Sequence, residues 1–213
     1  MLNIKAFPFN PFAMNTYVLW DETREGVIID AGNYTNEENA QLLDFVTENQ
    51  INITALLLTH NHIDHILGIK FLSERFHLPI QTHAAGDFLF KVAQSSAIAY
   101  GITFAGFPED IAHLSEADNF RFGKTVFQAF YTPGHADGSL CYYFPKDKIV
   151  VVGDVLFNGS IGRTDLPTGD FDILEKSIKE KLYTLDDEVI VYPGHGPETT
   201  IGFEKKYNPF VAG

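Results

Sequence analysis

Metal-ligand residue types crowd into one short stretch, directly after an apolar run of strand length. Residues 53–58 form the run, and residues 59–65 follow with the sequence THNHIDH. The four candidate ligands are His60, His62, Asp64 and His65. His60 and His62 stand at positions i and i+2, so their side chains point the same way in an extended turn, while Asp64 and His65 enter the next predicted helix. The pattern favours two metal ions a few ångström apart over solvated loop residues, and imidazole with carboxylate suits zinc, iron or manganese.

Three further stretches place a ligand type beside glycine at the end of a predicted strand. They are Thr132–His135, Gly153–Asp154 and Tyr192–Gly196, and their candidate ligands are His135, Asp154 and His195. Glycine lets the backbone approach a site closely. The carboxyl ends of strands are also where open α/β layers usually place their sites. We therefore expect these residues to join the first cluster.

Strand and helix patterns alternate in two similar halves, and no linker separates them. We predict strands at Ile4–Phe9, Thr16–Trp20, Gly26–Asp30, Ile53–Leu58, Leu78–Thr82, Thr125–Thr132, Leu140–Phe144, Ile149–Val152 and Glu188–Tyr192. We predict helices at Asn36–Glu48, His65–Phe76, Ala85–Ala99, Asp170–Leu182 and Thr200–Tyr207, with Asp170 as an N-cap. Two sheets packed back to back with helices outside would bury both apolar sets. This is an α/β architecture, and we expect a single domain over residues 1–213.

The charge of the chain limits its partners. Asp and Glu outnumber Lys and Arg by 28 to 15, for a net charge of −13, so a nucleic-acid partner is not expected. No apolar run reaches the roughly 20 residues that span a bilayer, and the N-terminus does not resemble a signal peptide. The lone Cys141 cannot form an internal disulfide and is expected to be a buried, inert thiol. We therefore expect a cytoplasmic protein without a membrane partner.

The motifs together resemble the metallo-β-lactamase superfamily over essentially the whole chain. THNHIDH matches its HxHxDH motif, and TPGHADGS, GDVLF and PGHGPETT match its later metal motifs in the expected order. The resemblance implies a four-layer αβ/βα sandwich, the metallo-β-lactamase fold. It implies a first metal held by His60, His62 and His135, a second held by Asp64, His65 and His195, and Asp154 bridging both.

Within that superfamily the chain looks most like the short, type II glyoxalase II-like hydrolases. The segment from Gly153 to Gly169 and the ending PGHGPETTIGFEKKYNPF follow their pattern. Long glyoxalase II proteins carry a further C-terminal helical region that helps to bind glutathione, and this chain stops at Gly213, before it. Arg163 matches a basic residue that binds a substrate carboxylate in the long proteins. The alternative for Arg163 is an ion pair with Asp165 that stabilises the fold.

The resemblance implies a hydrolase that cleaves a thioester of the S-lactoylglutathione type by a metal-bound hydroxide. Its cofactors would be two divalent ions, zinc before iron or manganese, which lower the pKa of a shared water towards about 7. We assign Asp64 a catalytic role in addition to its role as a ligand. A thiolate leaves readily, so no side chain need act as nucleophile, in agreement with the lack of a Ser/His/Asp signature.

Other activities occur on the same fold. Glutathione persulfide dioxygenases share the HxHxDH stretch and the GRTD segment of residues 162–165, and they use one iron held by residues matching His60, His135 and Asp154. A lactonase is a further alternative, and a non-catalytic scaffold would lack a ligand. A secreted β-lactamase is expected to have a signal peptide, and a nuclease is expected to have a basic surface. The sequence shows neither feature, so these two activities are not expected. The C-terminal stretch TTIGFE…NPF and the HADGS sequence around His135 favour the thioester hydrolase.

Two remaining features carry weaker expectations. The other three histidines, His77, His83 and His113, stand alone without ligand spacing, so we expect them to be structural or surface residues. The aromatic, glycine-bearing segment 100–108 is expected to be packed core, with a lid or rim loop as the alternative because of its length and its two glycines.

Overall fold

The computed structural model describes residues 1–116 and 119–213. Its strands are β1 (Asn3–Phe9), β2 (Met14–Trp20), β3 (Glu25–Ile29), β4 (Asn52–Leu57), β5 (Ile80–His83), β6 (Ile111–Leu114), β7 (Asn119–Phe122), β8 (Thr125–Tyr131), β9 (Leu140–Phe144), β10 (Ile149–Gly153), β11 (Leu156–Phe157), β12 (Ser160–Ile161), β13 (Ile190–Pro193) and β14 (Thr199–Thr200). Its α-helices are α1 (Asn36–Glu48), α2 (Ile69–Phe76), α3 (Asp87–Ala99), α4 (Phe171–Ser177) and α5 (Ile201–Tyr207).

Two six-stranded sheets carry the fold, in the orders β1-β2-β3-β4-β5-β6 and β14-β13-β10-β9-β8-β7. In the first sheet β1, β2 and β3 pair antiparallel, as predicted for the N-terminal meander, and β3 to β6 pair in parallel. In the second sheet β10 and β13 are parallel and the other pairs are antiparallel. The strands β11 and β12 form a small hairpin of their own.

Three apolar clusters hold four layers together. The central cluster joins the facing sides of the two sheets, with Tyr17 and Leu57 from one sheet against Phe127 and Tyr142 from the other. A second cluster packs α1, α2 and α3 on the outside of the first sheet. A third packs α4 and α5 on the outside of the second sheet. The predicted αβ/βα sandwich is therefore confirmed.

The helix predicted over residues 65–76 begins later than predicted. A short 3-10 turn covers Ile63–His65, and α2 starts only at Ile69. The reason is tertiary, because the backbone between them bonds to Ala31 of another segment: Ala31 N–H donates to the His65 carbonyl at 3.0 Å, and Gly68 N–H donates to the Ala31 carbonyl at 2.8 Å. These backbone groups are thereby held in a loop conformation.

Other boundaries follow the predictions with local differences. The predicted helix 36–48 has those bounds, with a capping box at Thr35 and Glu38. Asp170 is the N-cap of α4, as predicted, and accepts a hydrogen bond from the Ile173 N–H, but the helix changes to a π-helical turn at Ile178–Leu182. The strands β6, β7, β11, β12 and β14 were not predicted, since three of them have only two residues and the other two only four, too few to show a clear period-two alternation. Among the described residues, no helix is both long and apolar enough to cross a membrane.

Candidate metal centre

The structure brings all seven predicted ligand residues together at one edge of the sandwich. They follow the carboxyl ends of β4 in the first sheet and of β8, β10 and β13 in the second, where the cleft between the sheets opens. The seven are His60, His62, Asp64, His65, His135, Asp154 and His195, and their ligand atoms form overlapping groups within 4.8 Å. Residues separated by more than a hundred positions in the chain therefore share one site.

The three-histidine group consists of His60, His62 and His135. The His60 Nε2 and His62 Nδ1 atoms lie 3.0 Å apart, His62 Nδ1 and His135 Nε2 lie 2.9 Å apart, and His135 Nε2 and His60 Nε2 lie 3.2 Å apart. Three ring nitrogens this close form a triangle around one point. Metal–nitrogen bonds of about 2.0–2.1 Å would fit such a triangle, so these three nitrogens could hold one metal ion.

The mixed group consists of Asp64, His65 and His195. His195 Nε2 lies 3.0 Å from Asp64 Oδ2, and His65 Nε2 lies 3.7 Å from the same oxygen. This group therefore combines a carboxylate with two imidazoles, a donor set that suits zinc, iron and manganese.

Asp154 lies between the two groups. Its Oδ2 atom is 3.6 Å from His135 Nε2 and 3.6 Å from His195 Nε2, and its Oδ1 atom is 3.4 Å from His65 Nε2. Asp154 Oδ1 and His65 Nε2 are buried, and neither has a hydrogen-bond partner within the described part of the chain. Buried polar atoms without partners are costly, so this pair of atoms fits a site built for metal ions.

Asp30 and Thr59 hold two of the histidines from behind. Asp30 Oδ2 accepts from His65 Nδ1 at 2.9 Å and from the Thr59 hydroxyl at 2.7 Å. Because the single Thr59 hydroxyl proton goes to Asp30, Thr59 Oγ1 accepts from His60 Nδ1, which lies 3.1 Å away. Both histidines therefore carry their proton on Nδ1, and their Nε2 lone pairs face the site.

Backbone carbonyls orient two more histidines in the same way. His135 Nδ1 donates to the Arg163 carbonyl at 2.8 Å, and His195 Nδ1 donates to the Phe12 carbonyl at 3.1 Å. A carbonyl oxygen can only accept, so each ring carries a proton on Nδ1, and Nε2 is the nitrogen that faces the site and can bind metal once it is deprotonated.

Two glycines make room for these side chains, as their placement in the motifs predicts. A Cβ at Gly194 would lie 2.1 Å from Asp154 Oδ1, which no side chain permits. Gly153 has a φ of +52°, and a Cβ there would lie 2.3 Å from Thr59 Oγ1. Both positions thus require glycine if the carboxylate and the Thr59 hydroxyl are to keep their places.

The pKa values of the three-histidine group are lowered. Burial, followed by repulsion from neighbouring histidines, lowers the pKa of His60 well below its ordinary value. Burial and His135 lower the pKa of His62 to about 3, and burial lowers the pKa of His135. These imidazoles are neutral at neutral pH, which is the form that binds metal.

The mixed group behaves in the opposite way. Burial opposes a positive charge on His65, but Asp30, Asp154 and Asp64 outweigh it and raise the pKa of His65 well above its ordinary value. Burial likewise opposes a charge on His195, but the hydrogen bond that its Nε2–H donates to Asp64 raises its pKa all the same. Burial favours neutral Asp64 and Asp154, yet His65 lowers the pKa of both carboxyl groups. The carboxylates thus attract protons to this group whenever a metal ion does not neutralise them.

A cavity of about 520 Å³ opens above the site. Its floor includes His62, Asp64 and Asp154, and its wall includes Arg163. The Arg163 guanidinium donates from Nε and Nη2 to the two carboxylate oxygens of Asp165, each at 2.7 Å, and this pair lowers the pKa of Asp165 to about 2. The ion pair that the sequence offered as one alternative is present, and it lies where a substrate could still contact the guanidinium.

The remaining histidines lie outside these ligand groups, as predicted. His77 ends α2 in the left-handed conformation, His83 stacks on Tyr131, and His113 Nε2 lies 3.0 Å from Asp87 Oδ1. Cys141 is buried, as expected, and burial raises the pKa of its thiol to about 12.

Several residues that support the site were not singled out from the sequence. Asn10 Nδ2 donates to the Asp64 carbonyl at 2.9 Å, and Asn15 N–H donates to the Gly194 carbonyl at 2.7 Å. Asp30 had one local signal, an acidic residue directly after an apolar strand. Its backbone φ of +59° is uncommon for a residue other than glycine and marks a constrained position.

Comparison with known proteins agrees with this geometry. Residues 10–195 match the metallo-beta-lactamase superfamily. The hydroxyacylglutathione hydrolase GloC of Haemophilus influenzae is 35% identical over 212 residues, covering 99% of this chain and 98% of the relative. The structure of the B3 metallo-beta-lactamase BLEG-1 has a TM-score of 0.87 and 37% identity, covering 99% of this chain and 100% of that one. The structure of TTHA1623 in a di-iron-bound form has a TM-score of 0.87 and 34% identity, covering 97% and 100%.

A four-layer sandwich with histidine and aspartate groups at its strand ends defines a metallo-hydrolase. This chain belongs to the metallo-β-lactamase superfamily.

Proposed function

We propose that the protein hydrolyses thioesters of the S-lactoylglutathione type. The observation that carries the proposal is the pair of ligand groups flanking Asp154 on the floor of an open cavity. The name of the Haemophilus relative, a hydroxyacylglutathione hydrolase, supports a thioester as the substrate. We further propose that the seven residues hold two divalent ions, with zinc expected and iron or manganese as alternatives.

Hydrolysis joins a water oxygen to the thioester carbonyl carbon and breaks the carbon–sulfur bond, so that the products are a carboxylic acid and a thiol. Divalent ions in such a site lower the pKa of water and draw electron density from the carbonyl oxygen. The leaving thiol has an ordinary pKa near 8.5, so its departure needs little help from a general acid. No side chain of this site has to form a covalent intermediate.

The protein's own residues orient the reaction. Asp30, Thr59 and two backbone carbonyls keep the Nε2 lone pairs of four histidines facing the site. Asp64 has a lowered pKa, so Oδ2 stays ionised at neutral pH and can accept a hydrogen bond from the attacking water. This is the catalytic role that we propose for Asp64, in addition to binding metal.

One set of assays tests the proposal against its rivals. The chain is purified without chelator, its metal content is measured, and it is then given S-lactoylglutathione, glutathione persulfide with an oxygen electrode, a lactone and a chromogenic cephalosporin. Release of a thiol from the thioester with two metal ions per chain supports the proposal. One tightly held iron with oxygen consumption on the persulfide would replace it by the dioxygenase. Turnover of the lactone or the cephalosporin alone would move the function to those substrates.

A further inference from the structure

The cavity above the metal centre is apolar on the side formed by α3. Leu89, Val92, Ser96 and Tyr100 line it, at spacings of three and four residues that place them on one helix face. Tyr100 packs edge-on against Phe12 with ring centroids 5.2 Å apart, so the two rings continue this wall towards the opening. A substrate arm that lies along α3 therefore meets hydrocarbon and two hydroxyl groups, those of Ser96 and Tyr100.

The opposite wall is also apolar. Phe157, Ile161, Leu166 and Pro167 line it, in the hairpin of β11 and β12 and in the loop that follows. Cavities of about 300–1,000 Å³ with apolar walls and a few polar groups are typical of small-molecule sites. Here the candidate metal ligands lie on the floor, where the scissile bond would lie, and the mostly apolar walls, with Ser96, Ser160 and Arg163 among them, are left to contact the arms of the substrate.

Cationic groups are scarce in this cavity. Arg163 is the one Lys or Arg among the described residues that line it. Its Nε and Nη2 both bond to Asp165, so a carboxylate already balances its charge. A glutathione thioester carries two carboxylates and one ammonium group, and the described walls of the cavity offer its carboxylates a single Arg that is already paired.

We infer that, among thioesters, the cavity prefers those with an uncharged, apolar arm to S-lactoylglutathione itself, and that Asp165 determines this preference by neutralising Arg163. The inference rests on the proposed thioesterase function and names its substrate class. An apolar arm is transferred from water to the α3 wall and gains affinity with each methylene. An anionic arm that lies along the walls loses hydration and, among the described lining residues, finds no unpaired Lys or Arg in exchange.

The substrate series that tests the inference uses neutral N-acetylcysteamine thioesters with acetyl, butyryl and hexanoyl groups. With the metal-loaded chain, kcat/KM should rise by about threefold per added methylene. S-lactoylglutathione should be a poorer substrate than the hexanoyl thioester. A flat series, or a preference for S-lactoylglutathione, would overturn the inference.

The walls are tested by a matched pair of substitutions on one helix. Val92 lines the cavity, whereas Gln94 is exposed on another face of α3. Val92→Glu should remove the gain from acetyl to hexanoyl, and Gln94→Glu should keep it. Val92→Thr preserves the shape of the side chain and should reduce, in part, the rise in kcat/KM from the acetyl to the hexanoyl thioester. This variant serves if Val92→Glu folds poorly. An unchanged chain-length dependence in folded Val92→Glu or in Val92→Thr would contradict the assignment.

The role of Asp165 is tested by Asp165→Asn, which leaves the Arg163 charge unbalanced. KM for S-lactoylglutathione should fall by about threefold, a typical size for an exposed charge pair, while KM for the hexanoyl thioester should stay the same. Arg163→Ala should raise KM for S-lactoylglutathione, since Asp165 is then left unpaired at the wall. Equal effects of Asp165→Asn on both substrates, or no effect on either, would reject Asp165 as a specificity residue.

Failure of the inference and failure of the proposed function give different results. If the metal-loaded chain hydrolyses S-lactoylglutathione but shows no preference for apolar arms, the thioesterase function stands and the inference falls. If it hydrolyses none of the thioesters, the function falls and the inference with it.

Discussion

The three-histidine group and the mixed group share Asp154 but differ in their affinity for protons. Burial lowers the pKa values of His60, His62 and His135, so these residues are ready to bind metal at neutral pH. Carboxylates raise the pKa values of His65 and His195, so protons compete with metal in the mixed group. Two adjacent groups should therefore lose metal at different pH values, because more carboxylates face the histidines of the mixed group.

The largest expected effect comes from removing the residue that the groups share. Asp154→Ala removes the carboxylate that lies near His65, His135 and His195, so both groups should bind metal more weakly. We expect turnover to fall by about a thousandfold or more, as for the loss of a central electrostatic group. Metal analysis and thioester assays on the same preparation measure both effects.

Matched alanine variants of histidines outside the groups serve as controls for Asp154→Ala. His83→Ala and His113→Ala should retain metal and turnover close to the unsubstituted protein, because neither residue belongs to a ligand group. Near-normal turnover of fully metal-loaded Asp154→Ala would show that the two groups do not depend on Asp154.

The next effect is the order in which metal is lost as pH falls. Metal must displace protons from His65 and His195, whose raised pKa values make this displacement costlier at lower pH. Below those pKa values the affinity of the mixed group should fall by up to about a hundredfold per pH unit, tenfold for each histidine. The three-histidine group, with lowered pKa values, should hold its ion to lower pH.

Equilibrium dialysis from pH 8 to pH 5, followed by elemental analysis, measures this order. One ion per chain should leave first. The loss of an ion at the higher pH should be absent in His195→Ala and should remain in His62→Ala. Simultaneous loss of both ions in the unsubstituted protein would show that the groups titrate as one.

The smallest of the three effects comes from substituting the two residues that support the histidines from behind, one for each group. The amide group of Asp30→Asn has one oxygen and one NH₂, whereas both carboxylate oxygens of Asp30 accept hydrogen bonds. If the NH₂ takes the place of Oδ2, it faces His65 Nδ1 and the Thr59 hydroxyl; if it takes the place of Oδ1, it faces the Thr59 backbone N–H. At least one of these hydrogen bonds is therefore lost in either orientation. Thr59→Val removes only the hydroxyl that accepts from His60. Loss of such supporting contacts typically lowers metal affinity by 10–100-fold. Asp30→Asn should weaken the mixed group, and Thr59→Val should weaken the three-histidine group.

Competition with a chelating dye at pH 7.5 measures both affinities for Asp30→Asn and Thr59→Val. A folding check by circular dichroism accompanies it, since Asp30 is buried. If Thr59→Val lowered only the affinity of the mixed group, the proton assignment of His60 would be wrong.

The local sequence pattern was sufficient to predict the bounds of a helix wherever the residues of that helix set them. The helix 36–48 has a capping box within its first turn, so its bounds could be predicted. Asp170 caps α4 through a bond to Ile173, three residues away. The start of α2 could not be predicted, because Ala31, distant in the chain, bonds to the backbone at His65 and Gly68.

By itself, the sequence determined the seven candidate ligands and their position at strand ends, because ligand chemistry and strand patterns are both local properties. The resemblance of the motifs to a known family also implied how these ligands divide into two groups, and only the tertiary structure decided the distances between them and what lies behind them. His65 meets Asp30 across 35 positions, and His195 meets the Phe12 carbonyl across 183. Contacts of this kind depend on how two sheets pack and on the register of their strands, and no short stretch of sequence encodes either.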